Sequence, residues 1–371
     1  MKPTNALVAV LMAVAVVAAA CGGDTTETTQ AADPETTSTG SSGDTTTSSP
    51  SVETTEPTGG GEELNISLSY QAAPSDTDPW HHMATTFKAL VEDRSDGRIT
   101  VELFGGGQLS GGDQATEIEL VQNGTINASI LPTGTLSAID PRFQIAGLPW
   151  LVPSNEVAEE IVTGPLGAET LDWLRDRGME PLAIGSNGFR QLANNVRSVT
   201  SPEDVAGLTI RVPGSPVLVQ PWEELGAEPV VMNFGELYTG LQQGTVDGEE
   251  LPFVFKLSTN FYEVEGFGSE INYSWDMIYL VMNPDLWNSL TESDQSLISE
   301  AAIAAAEEER QFLADSNADI IAELEANGME IATLSDDELA AFQGLMEPVY
   351  AAFEDDIGAD LIARWRAASS E

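Results

Sequence analysis

The chain has 371 residues, long enough for two domains of ordinary size, and 42% of it is apolar, enough for real cores. Against 60 Asp and Glu it carries only 14 Lys and Arg, a formal net charge of −46. So acidic a surface repels the phosphates of nucleic acid and of anionic lipid headgroups, which makes both poor partners. It also points to a saline habitat, where the Debye length falls to about 8 Å or less and self-repulsion is screened.

The chain opens with a targeting segment. Lys2 supplies a minimal positive start, and Ala6 to Ala20 form an apolar run of roughly 15 residues, within the range of a signal-peptide core. A membrane-spanning helix needs roughly 20. The run ends Ala18-Ala19-Ala20-Cys21-Gly22, where small residues lead into the only cysteine. This resembles a bacterial lipoprotein signal in which the Cys becomes the lipidated first residue, with Ala18 in place of the usual Leu. Residues 1–20 are therefore read as signal peptide and Cys21 as the lipid anchor, which places the protein outside the cytoplasm and on the cell membrane. A single Cys excludes disulfides and multi-cysteine metal sites. Residues 21–62 continue as a Thr, Ser, Glu, Asp, Pro and Gly stretch without Lys or Arg, which cannot bury enough surface to fold and reads as a spacer.

The folded body begins at Leu64 to Tyr70, whose period-two alternation predicts a strand. Pro79 opens a helix with an apolar stripe at Met83, Phe87, Leu90 and Val91. Ile99–Phe104 is a second strand, a Gly-rich turn and a helix through Ile118 and Val121 follow, and Ala128–Pro132 is a third strand. A second unit from about Asn187 has strands at Leu208–Val212 and Glu228–Met232 and a helix at Glu236–Gly244. Tyr273–Met282 is a further strand, and beyond Thr291 the chain reads as almost entirely helical, with one long acidic helix over Ser299–Gly328. Strands alternating with helices predict an α/β layered fold.

Gly105-Gly106-Gly107 and Gly111-Gly112 match neither phosphate-cradle pattern and read as turns. The only histidines, His81 and His82, are adjacent and cannot face one metal from a helix. With them and one cysteine, no Ser-His-Asp or Cys-His nucleophile can be assembled, so the chain is not read as an enzyme. The pair Glu249-Glu250 reads by default as a solvated face. Arg211 differs, because it interrupts the apolar run Leu208-Thr209-Ile210-Arg211-Val212-Pro213. A buried guanidinium without a partner costs several kcal/mol, and its fork fits a carboxylate bidentately. A cleft-facing role meeting a ligand anion is expected. Arg190, at a strand or turn end in Asn187-Gly188-Phe189-Arg190, is a second cation that either binds ligand or forms a structural ion pair.

Several motifs then occur in order: Asn187-Gly188-Phe189-Arg190, Ser201-Pro202-Glu203-Asp204-Val205-Ala206-Gly207-Leu208-Thr209-Ile210-Arg211-Val212-Pro213, Phe234-Gly235-Glu236-Leu237-Tyr238, Val246-Asp247-Gly248-Glu249-Glu250 and Phe261-Tyr262-Glu263-Val264. Over roughly residues 64 to 355 the chain resembles the solute-binding proteins of tripartite ATP-independent periplasmic (TRAP) transporters, of the dicarboxylate-binding type. The resemblance implies a two-lobed periplasmic-binding fold with a hinge and a long C-terminal helix across both lobes. Lobe I would hold 64–187 plus about 276–316, and lobe II 188–275 plus about 317–371. It also implies that Arg211 binds the carboxylate of an organic acid, that Arg190 assists, and that Phe234 lines the pocket. The partners it implies are a small organic acid and the TRAP membrane subunits of an ion-gradient-driven importer, with a ligand-presenting sensor as the alternative.

One departure stands out. Where many members read Asp-Gly-Gln-Glu-Asn-Pro, this chain reads Asp247-Gly248-Glu249-Glu250-Leu251-Pro252, so Leu251 replaces an amide. The usual His after the hinge strand falls near Asn272, also changed. A monocarboxylate with an apolar body is therefore expected, walled by Trp80, Phe234 and Leu251. The candidate ligand-binding set is Arg211, Arg190, Phe234, Leu251, Trp80, Glu250 and Asn272, with no catalytic residue, metal or cofactor assigned.

Overall fold

The computed structural model describes residues 62–370. The expected signal peptide, Cys21 and the spacer up to Gly61 lie outside the described residues. The body opens with β1 (Leu64–Ser69), α1 (Pro79–Arg94), β2 (Ile99–Phe104), α2 (Gln114–Gln122) and β3 (Ala128–Pro132). Asp78 caps α1, accepting from the N–H groups of Trp80 and His81, while Pro79 occupies a position whose missing donor costs nothing. The Gly-rich turn allows close approach: a Cβ on Gly105 would lie 2.8 Å from the Tyr70 ring.

The chain continues through α3 (Thr133–Leu136), a 3-10 segment (Pro141–Gly147), α4 (Asn155–Thr163), α5 (Pro165–Asp176) and β4 (Glu180–Asn194). Next come α6 (Pro202–Val205), β5 (Thr209–Val212), α7 (Pro216–Glu224), β6 (Glu228–Val231), α8 (Leu237–Gln243), β7 (Gly248–Glu249), α9 (Phe253–Ser258) and β8 (Phe267–Met282). The C-terminal part comprises α10 (Pro284–Ser289), α11 (Glu292–Ala326), β9 (Glu330–Thr333), α12 (Asp336–Gln343), α13 (Glu347–Ile357) and α14 (Ala359–Ala368).

The strands form one nine-stranded mixed sheet in the order β2-β1-β3-β8-β4-β7-β5-β6, with β9 on β8. The long antiparallel pair β4 and β8 is its spine. The C-terminal half of β8 lies between β3 and the start of β4, while the start of β8 lies between β9 and the end of β4. β1–β3 thus lie on one side of this pair and β5–β7 on the other. Register shifts interrupt β4 between Ser186 and Gly188 and between Arg190 and Leu192.

Side chains of β8 alternate between two cores, one on each face of the sheet. Ile278, Leu280 and Met282 join α1 and α11 residues such as Phe87 and Ala302, while Met277, Tyr279 and Val281 join Trp173, Trp222 and Trp365. That is the period-two geometry of a strand covered on both faces. The 35-residue α11, roughly 50 Å long at 1.5 Å per residue, packs on α1, β4 and α9 and reaches β9.

Four readings are corrected. The long helix begins at Glu292, because Thr291 caps it and Glu292 and Asp294 suit its positive end. The strand expected from Tyr273 begins at Phe267. The C-terminal region is interrupted by β9, a half-exposed edge strand with a weak apolar signal. Arg190 lies inside β4 rather than at a strand end: Asn187-Gly188 has turn composition, but Gly188 takes φ 86° within a bulge and the strand continues.

Candidate functional site

Arg211 lies on β5, between β6 and β7, with its backbone opposite Val230 and Glu249. It is 2% exposed. Its Nε donates to the Met232 carbonyl at 2.9 Å. Among the described residues its two terminal amino groups make no hydrogen bond and no ion pair, and the side chain lines a cavity of about 40 Å³. One ordered water needs roughly 10–15 Å³ by the same measure, so a small solute fits. Burial pushes the guanidinium pKa down to about 10, and the like charge of Arg190 adds to this, against the opposing pull of Glu250 and Glu249. Arg211 is thus a cation at neutral pH whose charge is incompletely answered by the protein.

Arg190 is a different kind of cation. Its Nε and Nη2 grip the Glu250 carboxylate, the latter at 2.7 Å, and its Nη1 donates to Asp276 Oδ2 at 2.9 Å. Burial opposes its charge, yet Glu250 first and Asp276 after it hold its pKa well above the usual value. Glu250 also accepts from Tyr273 Oη, and Asp276 accepts from Asn187 Nδ2 at 3.0 Å and from Thr133 Oγ1. Arg190 lines the cavity, but its charge is matched by two carboxylates.

Trp80, Phe234, Leu251 and Phe255 supply the apolar wall. Trp80 and Phe234 each meet Phe255 edge-on, with centroids 6.5 and 6.2 Å apart. Trp80 also donates its indole N–H to Asn187 Oδ1 at 2.7 Å. Gln71, Thr135, Asn187 and Asp276 add polar edges.

Five of the expected residues therefore share one cavity: Arg211, Arg190, Phe234, Leu251 and Trp80. Two do not line it. Glu250 is fully buried behind Arg190, and Glu249 is fully buried as well, so the solvated-face reading of this pair is corrected: each carboxylate has a buried cation to meet. Asn272 lies on another surface, lining a cleft of about 610 Å³ with Gln191 and Arg310; its Oδ1 accepts from Gln191 Nε2 at 2.5 Å and its φ of 45° accommodates the strand irregularity there. His81 and His82 point apart, one meeting the Tyr70 hydroxyl at 2.5 Å and the other stacking on Phe312. Among the described residues no cluster of three or more His, Cys, Asp or Glu is arranged to hold a metal.

Asn187, Asp276, Gln71, Thr135 and Phe255 carried no expected role. Asp276 was findable by the argument that singled out Arg211, since it is a lone charge in the apolar strand Tyr273–Met282.

The sequence model of the family described as bacterial extracellular solute-binding protein, family 7, matches residues 69–356. The chain belongs to this family. Its members include the TRAP solute-binding proteins that the motifs resemble. A solute-binding protein of Roseobacter denitrificans is 34% identical over 284 residues, covering 76% of this chain and 84% of that one. A TRAP periplasmic solute-binding protein from Ralstonia eutropha, solved with bound (S)-2-acetolactate, superposes with a TM-score of 0.79 at 29% identity, covering 82% of this chain and 98% of that one. A TRAP periplasmic solute-binding protein from Polaromonas bound to D-erythronate gives 0.78 at 31% identity, covering 82% and 99%. Family membership assigns the chain to solute binding for transport in the periplasmic space. Among the described residues no helix is long and apolar enough to cross a membrane.

Proposed function

We propose that the protein captures an organic monocarboxylate through Arg211 and delivers it to an ion-gradient-driven TRAP transporter. The observation that carries this reading is the charge balance of the cavity. Arg190 is offset by Glu250 and Asp276, so of the two arginines it is Arg211 that has donors to spare. One ligand carboxylate answers one guanidinium fork. A second carboxylate would meet Asp276 with no free cation beside it, at a cost of several kcal/mol. Leu251 and the three aromatic rings favour an apolar body, since a ligand hydroxyl placed against Leu251 loses about 1–3 kcal/mol for want of a partner.

Capture would proceed by closure of the lobes around the bound acid, exchanging water on Arg211 for carboxylate. We divide the lobes at 187/188 and near 275/276, a reading supported by the irregular register that sets Gly188 opposite Asp276. The test is calorimetry of the purified protein with (S)-2-acetolactate, hexanoate, D-erythronate and succinate. Binding of acetolactate or hexanoate in preference to the other two supports the reading; tight binding confined to erythronate or succinate overturns it.

The same reading makes the protein a lipoprotein anchored through Cys21. Metabolic labelling with palmitate, lost in Cys21→Ser together with membrane association, tests it; retention of both would refute it.

A further inference from the structure

Lys256, on α9, is completely buried, and so is the Glu249 carboxylate 2.7 Å from its Nζ. Burying two such charges is expensive unless every lone pair and proton is used. Here one donor of Lys256 and one oxygen of Glu249 both meet the same residue. Lys256 Nζ donates to the Leu251 carbonyl at 2.6 Å, and the other oxygen of Glu249 accepts from the Leu251 N–H. The Gln191 N–H adds a second bond to the same carbonyl at 3.2 Å. Leu251 in turn supplies part of the cavity wall.

Glu249 is also tied to the acid-binding end of the cavity, because its backbone lies opposite Arg211 in the β5–β7 pairing. Beside Glu249 stands Glu265, with both oxygens enclosed and no N–H to accept from among the described residues. Burial, and then the charge of Glu249, raise its pKa well above the ordinary carboxylate range. Protonated, Glu265 becomes a donor toward Glu249. Burial raises the Glu249 carboxyl too, so one proton held between the two acids leaves a single negative charge to face the Lys256 ammonium.

We infer that Lys256 and Glu249 form a clamp on the Leu251 peptide that sets the distance between the Arg211 guanidinium and the apolar wall, and with it the length of acid the site accepts. Lys256 is a positioning residue, since it does not line the cavity. The inference rests on the monocarboxylate reading only for its effect on ligand choice; the clamp itself has a ligand-independent readout.

The test uses the full chain as wild type, Lys256→Met and the double variant Lys256→Met/Glu249→Gln, whose neutral amide can still accept from the Leu251 N–H. Hydrogen exchange at the Leu251 amide should accelerate about tenfold or more in K256M and return toward wild type in the double variant, with amides of β1 and β2 unchanged. In calorimetry the affinity ratio between butanoate and hexanoate should flatten in K256M and recover only in part in the double variant, which regains the Leu251 N–H partner but not the Lys256 bond to the Leu251 carbonyl. Unchanged exchange at Leu251, or an increase spread equally over β1 and β2, overturns the clamp. If the wild type binds neither acid, the ligand reading fails and exchange alone decides the clamp. Should K256M not fold, recovery in K256M/E249Q but not in K256M/E265Q supports the pairing, and recovery in both or neither overturns it.

Discussion

Arg190 donates Nη1 to Asp276 Oδ2 at 2.9 Å across the β4–β8 pair, while the rest of its guanidinium holds Glu250. This pairing separates the two arginines of the site. Arg190 lines the cavity with its donors spent on two carboxylates, and Arg211 is the one left with donors facing it.

Replacing Arg211 with Ala should abolish measurable binding, because truncating one partner of a buried charge pair costs about 2–5 kcal/mol. Arg211→Lys should lose at least about tenfold, since an ammonium cannot present the fork. Titration calorimetry checks both, and unchanged affinity in the Lys variant would exclude bidentate recognition.

Asp276→Asn should shift selectivity toward dicarboxylates. The substitution keeps an acceptor for Arg190 and Asn187 but removes one negative charge from the cavity edge. Succinate affinity relative to a monocarboxylate should rise about tenfold, equivalent to roughly 1.4 kcal/mol. An unaltered ratio would show that the charge balance does not select the ligand.

Leu251→Asn restores an amide to the wall. Affinity for D-erythronate should improve by about 1–3 kcal/mol relative to hexanoate, the worth of a buried hydrogen bond gained or lost. Competition binding with the two acids measures it.

Asp78, capping α1 and fully buried, has its pKa pushed up to about 7, mainly by burial, against its hydrogen bonds from His81, Ser258 and Trp80. Between about pH 4 and 7 the folded state therefore holds a proton that the unfolded chain has released, so stability falls as pH rises through this window and levels off above it. The full effect is on the order of 4 kcal/mol. Asp78→Asn keeps a capping acceptor and should flatten that part of the pH profile in denaturant titrations; an identical slope in the variant would refute the assignment.

A formal charge of −46 predicts stabilisation by salt. The melting temperature should rise between about 0.01 and 1 M NaCl as the Debye length shrinks from about 30 to 3 Å. Equal or greater stability at the low end would remove the self-repulsion argument.

Much of the fold was legible in local pattern. β1, β2, β3, α1 and α2 fall where periodicity, Pro79 and the glycine turns placed them, because each signal lies within a few residues of the element it sets. The two long strands β4 and β8 were read short or broken. Gly188 has turn composition, yet β8 supplies hydrogen bonds on both sides of the bulge and carries the strand through it, which is a partnership remote in sequence.

The candidate site divides the same way. A lone Arg among Leu, Ile and Val implies an anion wherever the strand lies, so Arg211 could be singled out from its neighbours alone. That Arg190 is already neutralised could not, because its partners Glu250 and Asp276 lie 60 and 86 residues away.

The amino-acid sequence by itself determined the α/β class, the family and the need of Arg211 for an anion, because composition, periodicity and motif order are local properties of the chain. Only the tertiary structure decided which cations remain free, which carboxylates are spent, and that Lys256 holds the peptide of Leu251. Charge balance in a buried site depends on distances between groups, and those are set when the two long strands bring remote segments together.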